Sequence, residues 1–149
     1  MSTRGAVGIR FNNVDKIGYN HFDSYPSGLG DSILMFLKDK SIEELKELYN
    51  KIELCENSSN DVWDFLHNKI NEIFPDCSSF MYDSLFCEYA YIINLDEGVL
   101  EYYRGFNKDK NASGRYAFKS LEEPYYGVAL KNSIPLTEVF SGKFHCDNF

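Results

Sequence analysis

The hydrophobic period of this chain changes twice, and that alone limits the folds open to it. Gly5 to Phe11 (GAVGIRF) reads as a strand, Asn12 and Asn13 supply a turn that tolerates positive φ, and Lys16 to Phe22 (KIGYNHF) reads as the returning strand. The period then becomes helical. Asp31 or Ser32 is placed to cap a short apolar helix over Ile33 to Leu37. Ser41 with Glu44 three residues on is a capping-box pattern, and Ile42, Leu45, Leu48, Tyr49 and Ile52 recur at helical spacing, predicting a helix over 41–54. A third helix is expected from Asn60 or Asp61 through Val62, Phe65, Leu66, Ile70, Ile73 and Phe74, where Pro75 stops it.

Alternation returns with Cys87, Tyr89, Tyr91, Ile93 and Leu95, and Asp96, Glu97 and Gly98 turn the chain into a partner strand, Val99 to Phe106. Asn107 to Gly114 reads as a polar loop, and Tyr126 to Leu130 as a further strand before Pro135. Strands, then helices, then strands predict an α+β fold: an antiparallel sheet of four or five strands in two hairpins, with about three helices inserted between the hairpins and packed on one face. No repeat, low-complexity linker or internal boundary appears, so residues 1–149 are expected to form one domain.

A net charge of −8 is the wrong sign for neutralising a phosphate backbone, so no duplex nucleic-acid partner is expected. No stretch approaches the ~18 consecutive apolar residues of a membrane span, and residues 1–30 lack a basic start followed by an apolar run, so no membrane partner and a cytoplasmic location are expected. Cys55, Cys77, Cys87 and Cys146 contain no CxxC pair and are expected as reduced thiols. Aromatic residues are abundant, with 12 Phe and 11 Tyr; tyrosines combine an apolar ring with a hydroxyl that needs a partner, which suits either a core rim or a half-polar pocket.

Chemistry concentrates between Tyr19 and Gly30. Tyr19, His21 and Asp23 fall on one face of the second strand, with Asn20 on the other. Ser27, Gly28, Leu29 and Gly30 would present backbone N–H groups at a helix N-terminus, an arrangement that attracts phosphate or carboxylate; the plainer alternative is that the glycines only make the turn. Arg4 is expected to face this loop across the hairpin, as an anion contact or in an ion pair with Asp23. Tyr19, Tyr25 or Tyr103 could stack on a planar ring. His21 and Asp23, with distant His67 or His145, have no accompanying helical ligand pattern, so no metal and no cofactor are expected.

The opening Ser2-Thr3-Arg4-Gly5, followed by Phe22-Asp23-Ser24-Tyr25-Pro26-Ser27-Gly28-Leu29-Gly30, resembles a family of small bacteriophage and prophage proteins with a Thr-Arg start and an Asp-x-Tyr-Pro-x-Gly loop after the second strand. The resemblance covers about the first thirty residues. It implies a viral accessory protein acting in the host cytoplasm, with an expectation of counter-defence. The leading expectation is a binding protein, rather than an enzyme, that holds a small anionic, nucleotide-derived ligand through Arg4, Tyr19, His21, Asp23, Tyr25, Ser27, Gly28, Gly30 and Tyr103. One rival is an acidic module that inhibits a host protein, with a homodimer through a sheet edge also open. Another is a hydrolase in which Ser2, exposed by removal of Met1, uses its own amine as base. A Cys146–His145 dyad is disfavoured because sequence neighbours on a strand point apart.

Overall fold

The computed structural model of the protein describes residues 2–54, 73–74, 77–121 and 123–149. Strands β1 (Gly5–Phe11) and β2 (Val14–Asn20) form the first hairpin, with Phe11 opposite Val14. Asn12 and Asn13 close it at φ 53° and 63°, the left-handed pair that a two-residue turn between twisted strands requires. Both of their amides donate to the Asp96 carboxylate at 2.8 Å, tying this turn to the tip of the second hairpin. These donors hold the Asp96 carboxyl below its ordinary pKa.

Helix α1 (Asp31–Leu37) continues directly from a π-helical turn, Pro26–Gly30. Asp31 and Ser32 therefore lie inside the helix rather than capping it, and Gly30 stands at the N-cap without a side-chain acceptor. Helix α2 (Ile42–Lys51) begins as predicted: Ser41 Oγ accepts from the Glu44 amide at 3.2 Å and donates to Glu44 Oε1 at 3.3 Å. It ends earlier than expected, because Glu53–Leu54 forms β3 and pairs in parallel with β4 (Ile73–Phe74). Ile73 and Phe74 were expected as the end of the third helix, the rest of which lies outside the described residues.

Strands β5 (Tyr89–Asn94) and β6 (Val99–Arg104) make the second hairpin, turning through Gly98 at φ 68°. The final strand, β7 (Ala129–Pro135), falls later than the Tyr126 to Leu130 expectation. It is an edge strand whose middle, Lys131 to Ser133, is polar because one side of it faces water. Pro135 can sit at its end because an edge needs no donor there. A further helix, α3 (Leu136–Phe140), follows β7.

The result is an α+β fold with an open five-stranded sheet of order β2-β1-β5-β6-β7. Each hairpin is antiparallel as predicted, but the two meet along a parallel pair, β1 with β5, so the sheet is mixed. Asn20 ends β2 opposite Gly5, and Tyr89 begins β5 beside the same Gly5. The connection thus returns to the end it left and adds β5 to the apolar strand β1; charged β2, with Asp15 and Lys16, remains an edge.

Val7, Ile9, Tyr91 and Ile93 pack on one face against residues of α1, α2 and α3, among them Ile33, Leu45 and Leu136. The opposite face, with Ala6, Ile17, Ala90, Ile92 and Tyr103, is covered by Met81 of a 3-10 turn (Ser78–Tyr82) and by Tyr116 and Val128. Each fully buried aliphatic side chain contributes roughly 1.5–3 kcal/mol. Among the described residues, no helix is long and apolar enough to cross a membrane.

Candidate functional site

At the end of the sheet where β1 and β5 begin, the chain just before them opens into a cleft. Arg4 and Glu88 flank each other one residue ahead of the parallel pair: the Glu88 amide donates to the Arg4 carbonyl at 3.1 Å, and the Arg4 amide donates to Glu88 Oε2 at 3.2 Å. A cavity of about 340 Å³ lies here, lined by Ser2, Arg4, Leu85, Phe86, Glu88 and Phe106. The Arg4 guanidinium sits 5.4 Å from the centre of the Phe86 ring, within cation–π range.

Phe106 is held in the left-handed region at φ 52°, a conformation bulky residues rarely adopt. Its neighbours over-determine it. The Gly105 amide donates to the Glu88 carbonyl at 2.8 Å, the Phe106 amide to the Ser84 carbonyl at 2.6 Å, and the Asn107 amide to Ser84 Oγ at 3.0 Å. A Cβ on Gly105 would lie 2.0 Å from the Cys87 carbonyl oxygen, so this turn needs glycine. The strained backbone presents Phe106, 51% exposed, to the cavity that the 46% exposed Phe86 also lines.

Beside the cleft, Ser2 Oγ lies 3.2 Å from His21 Nε2, and Tyr19 Oη lies 2.7 Å from His21 Nδ1. The hairpin accounts for the grouping: Gly5 is paired with Asn20 and Ala6 with Tyr19, so the residues just before β1, Ser2 and Arg4, and the one just after β2, His21, leave the sheet at the same end. Phe22 packs edge-on to the His21 ring at 4.4 Å, and Phe80 to the Tyr19 ring at 5.2 Å.

The structure thus brings together four of the residues singled out in the sequence, Ser2, Arg4, Tyr19 and His21. The others lie elsewhere. Strand β2 ends at Asn20, and Asp23 at φ 54° turns the chain, so strand alternation does not extend to it. Its carbonyl accepts the Leu29 amide at 2.8 Å, and its carboxylate, hydrogen-bonded to the Tyr25 hydroxyl, raises the Tyr25 pKa. Among the described residues, no ion pair joins Arg4 to Asp23.

The expected anion cradle of Ser27, Gly28 and Gly30 is also corrected. The Gly28 and Gly30 amides donate to the Tyr25 carbonyl at 2.9 and 3.4 Å, closing the π-helical turn on itself. Gly28 is there for space, since its Cβ would sit 2.2 Å from the Asp23 carbonyl oxygen. Gly28→Val is expected to lower stability by about 1–3 kcal/mol through this backbone collision. Thermal melting checks it, and an unchanged midpoint would contradict the packing. Tyr103 cannot stack on a ligand: it is fully buried, with its hydroxyl donating to Glu101 Oε1 at 3.0 Å.

Phe86, Glu88 and Phe106 escaped the sequence reading. The apolar pair Leu85-Phe86 just before a strand was the one legible sign of them. Cys87, next to the cleft, is fully buried and its thiol is pushed well up by desolvation, which removes it as a nucleophile. Cys146 is buried in the helix-side core with its thiol raised by burial, 3.9 Å from His145 Nδ1, which already accepts the Asp147 amide at 3.2 Å. Comparison of the chain with protein-family models, with curated proteins and with solved structures finds no match.

Proposed function

We propose that the protein is a phage-type accessory protein that binds a small anionic, nucleotide-derived ligand in the cleft between Arg4, Phe86 and Phe106. The observation that carries this reading is the Arg4 guanidinium held against Phe86 in a cavity with a second exposed aromatic ring on its rim. Arg is suited to a phosphate or carboxylate, and two phenyl faces suit a planar ring. The ligand class is the one expected from the sequence; its seat moves from the Gly28 loop to the cleft. The phage setting, counter-defence and action in the host cytoplasm rest on the resemblance of the first thirty residues.

Calorimetry against cyclic and linear dinucleotides and ADP-ribose derivatives tests the reading, and affinity no tighter than micromolar for every compound would sink it. Arg4→Ala is expected to weaken binding at least tenfold while leaving the melting temperature nearly unchanged, since a charge-assisted hydrogen bond contributes ~1.5–3 kcal/mol. Full affinity in that variant would remove Arg4 from the site.

A second reading, an acidic module that blocks a host protein, draws on exposed Phe22, Phe86, Phe106 and Phe118 together with the charge of −8. Affinity purification separates the two: a stoichiometric protein partner favours this one, a co-purifying small molecule the first.

A further inference from the structure

We infer that Ser2 is a nucleophile, with His21 as its general base, toward small carboxylic esters that carry an anionic group. This inference rests on the cleft being the ligand site, and it adds a reaction there. Ser2 lines the cavity itself, and its hydroxyl is 3.2 Å from His21 Nε2, within reach of a proton transfer. His21 Nδ1 is in turn 2.7 Å from Tyr19 Oη, so the base is oriented by a third group, the arrangement that marks an activated serine. Both partners are hydroxyls, which donate or accept as the imidazole tautomer requires; the base form this role needs is the one with the proton on Nδ1, donated to Tyr19 Oη, and the Nε2 lone pair accepting from Ser2.

The step balances without a co-reactant other than water. Ser2 Oγ bonds to the ester carbonyl carbon as its proton moves to His21 Nε2. The carbon–oxygen bond to the alcohol breaks, and the alcohol leaves with the proton from Nε2. Water then gives a proton to Nε2 and attacks the acyl-serine carbon, releasing the acid and restoring the Ser2 hydroxyl. Arg4, lining the same cavity, is the cation that meets the substrate's anionic group. The base is a side chain, so the reaction needs no free amine on Ser2 and does not depend on removal of Met1. This departs from the terminal-amine mechanism expected for Ser2 from sequence.

The test is labelling of the intact protein with a fluorophosphonate, in which Ser2 Oγ bonds to phosphorus and fluoride leaves, read by mass spectrometry. A single adduct on Ser2 is expected. Labelling of that site should disappear in Ser2→Ala and slow about 100-fold in His21→Gln. Tyr19→Phe addresses the positioning residue: turnover of an anionic 4-nitrophenyl ester should show kcat about tenfold lower at unchanged KM. No adduct on wild-type protein, an adduct only at other residues, or a rate indifferent to His21→Gln would overturn the inference. Labelling requires none of the nucleotide-type ligands, so calorimetry on the wild-type protein reports the binding proposal separately. Binding without labelling removes only the nucleophile, and labelling without binding removes only the ligand assignment.

Discussion

Replacing Glu101 by alanine is expected to lower the unfolding free energy by about 3 kcal/mol, the low end of the range for stranding a buried charge. Glu101 is 3% exposed on β6, and its two carboxylate oxygens accept from the two terminal guanidinium nitrogens of Arg115 at 2.7 Å each. Tyr103 Oη donates to the same carboxylate at 3.0 Å and Asn94 Nδ2 at 3.4 Å. Truncation removes the carboxylate from all of these donors, Arg115 Nη2 keeping only its 3.2 Å bond to Tyr116 Oη, and Arg115 Nε already has no partner among the described residues. Arg115 keeps some access to water, with its side chain 30% exposed, which is why the low end applies. At ~2–4 °C per kcal/mol for a domain of this size, the melting temperature should fall by about 6–12 °C. The double variant Glu101→Leu/Arg115→Met should recover most of the loss, because it removes both charges. Denaturant unfolding of the three proteins checks this. A Glu101→Ala cost below about 1 kcal/mol would mean that the pair is far better hydrated than its burial indicates.

A steep alkaline loss of stability is the second large effect expected. Tyr91, Tyr103 and Tyr116 are buried, and desolvation raises all three hydroxyls above the ordinary tyrosine value, with Glu101 adding to the effect on Tyr103 and Asp15 on Tyr116. Below pH ~10 both folded and unfolded chains hold these protons, so stability does not respond. Above it the unfolded chain releases protons that the folded chain retains, and each such tyrosine removes about 1.4 kcal/mol per pH unit. Tyr91 is the cleanest probe: it is fully buried, and its hydroxyl donates to the Ser24 carbonyl at 2.9 Å. Tyr91→Phe should cost about 1 kcal/mol near neutral pH by losing that bond, yet flatten the alkaline slope by about 1.4 kcal/mol per unit. Urea midpoints followed from pH ~9 to ~11.5 decide it, and parallel slopes for the two proteins would exclude Tyr91 as a contributor.

What the sequence determined by itself was local. Asn12 and Asn13 at positive φ, the Ser41–Glu44 cap and the turn through Gly98 all depend on residues within a few positions of each other, and the α+β order follows from the change of period. The tertiary structure decided the rest. The parallel joining of β1 to β5 and strand β7, with its polar middle, depend on which edge lies alongside, information no local window contains. Likewise the Gly28 and Gly30 amides look free in a linear reading and are taken up once the chain coils back on Tyr25. The cleft is the clearest case. Arg4 and Glu88, 84 positions apart in the chain, become neighbours only because the connection after β2 returns to the end of the sheet it left. A site assembled by strand order carries no spacing signal, so its residues were legible singly, as Ser2, Arg4, Tyr19 and His21, while the company they keep came from the fold.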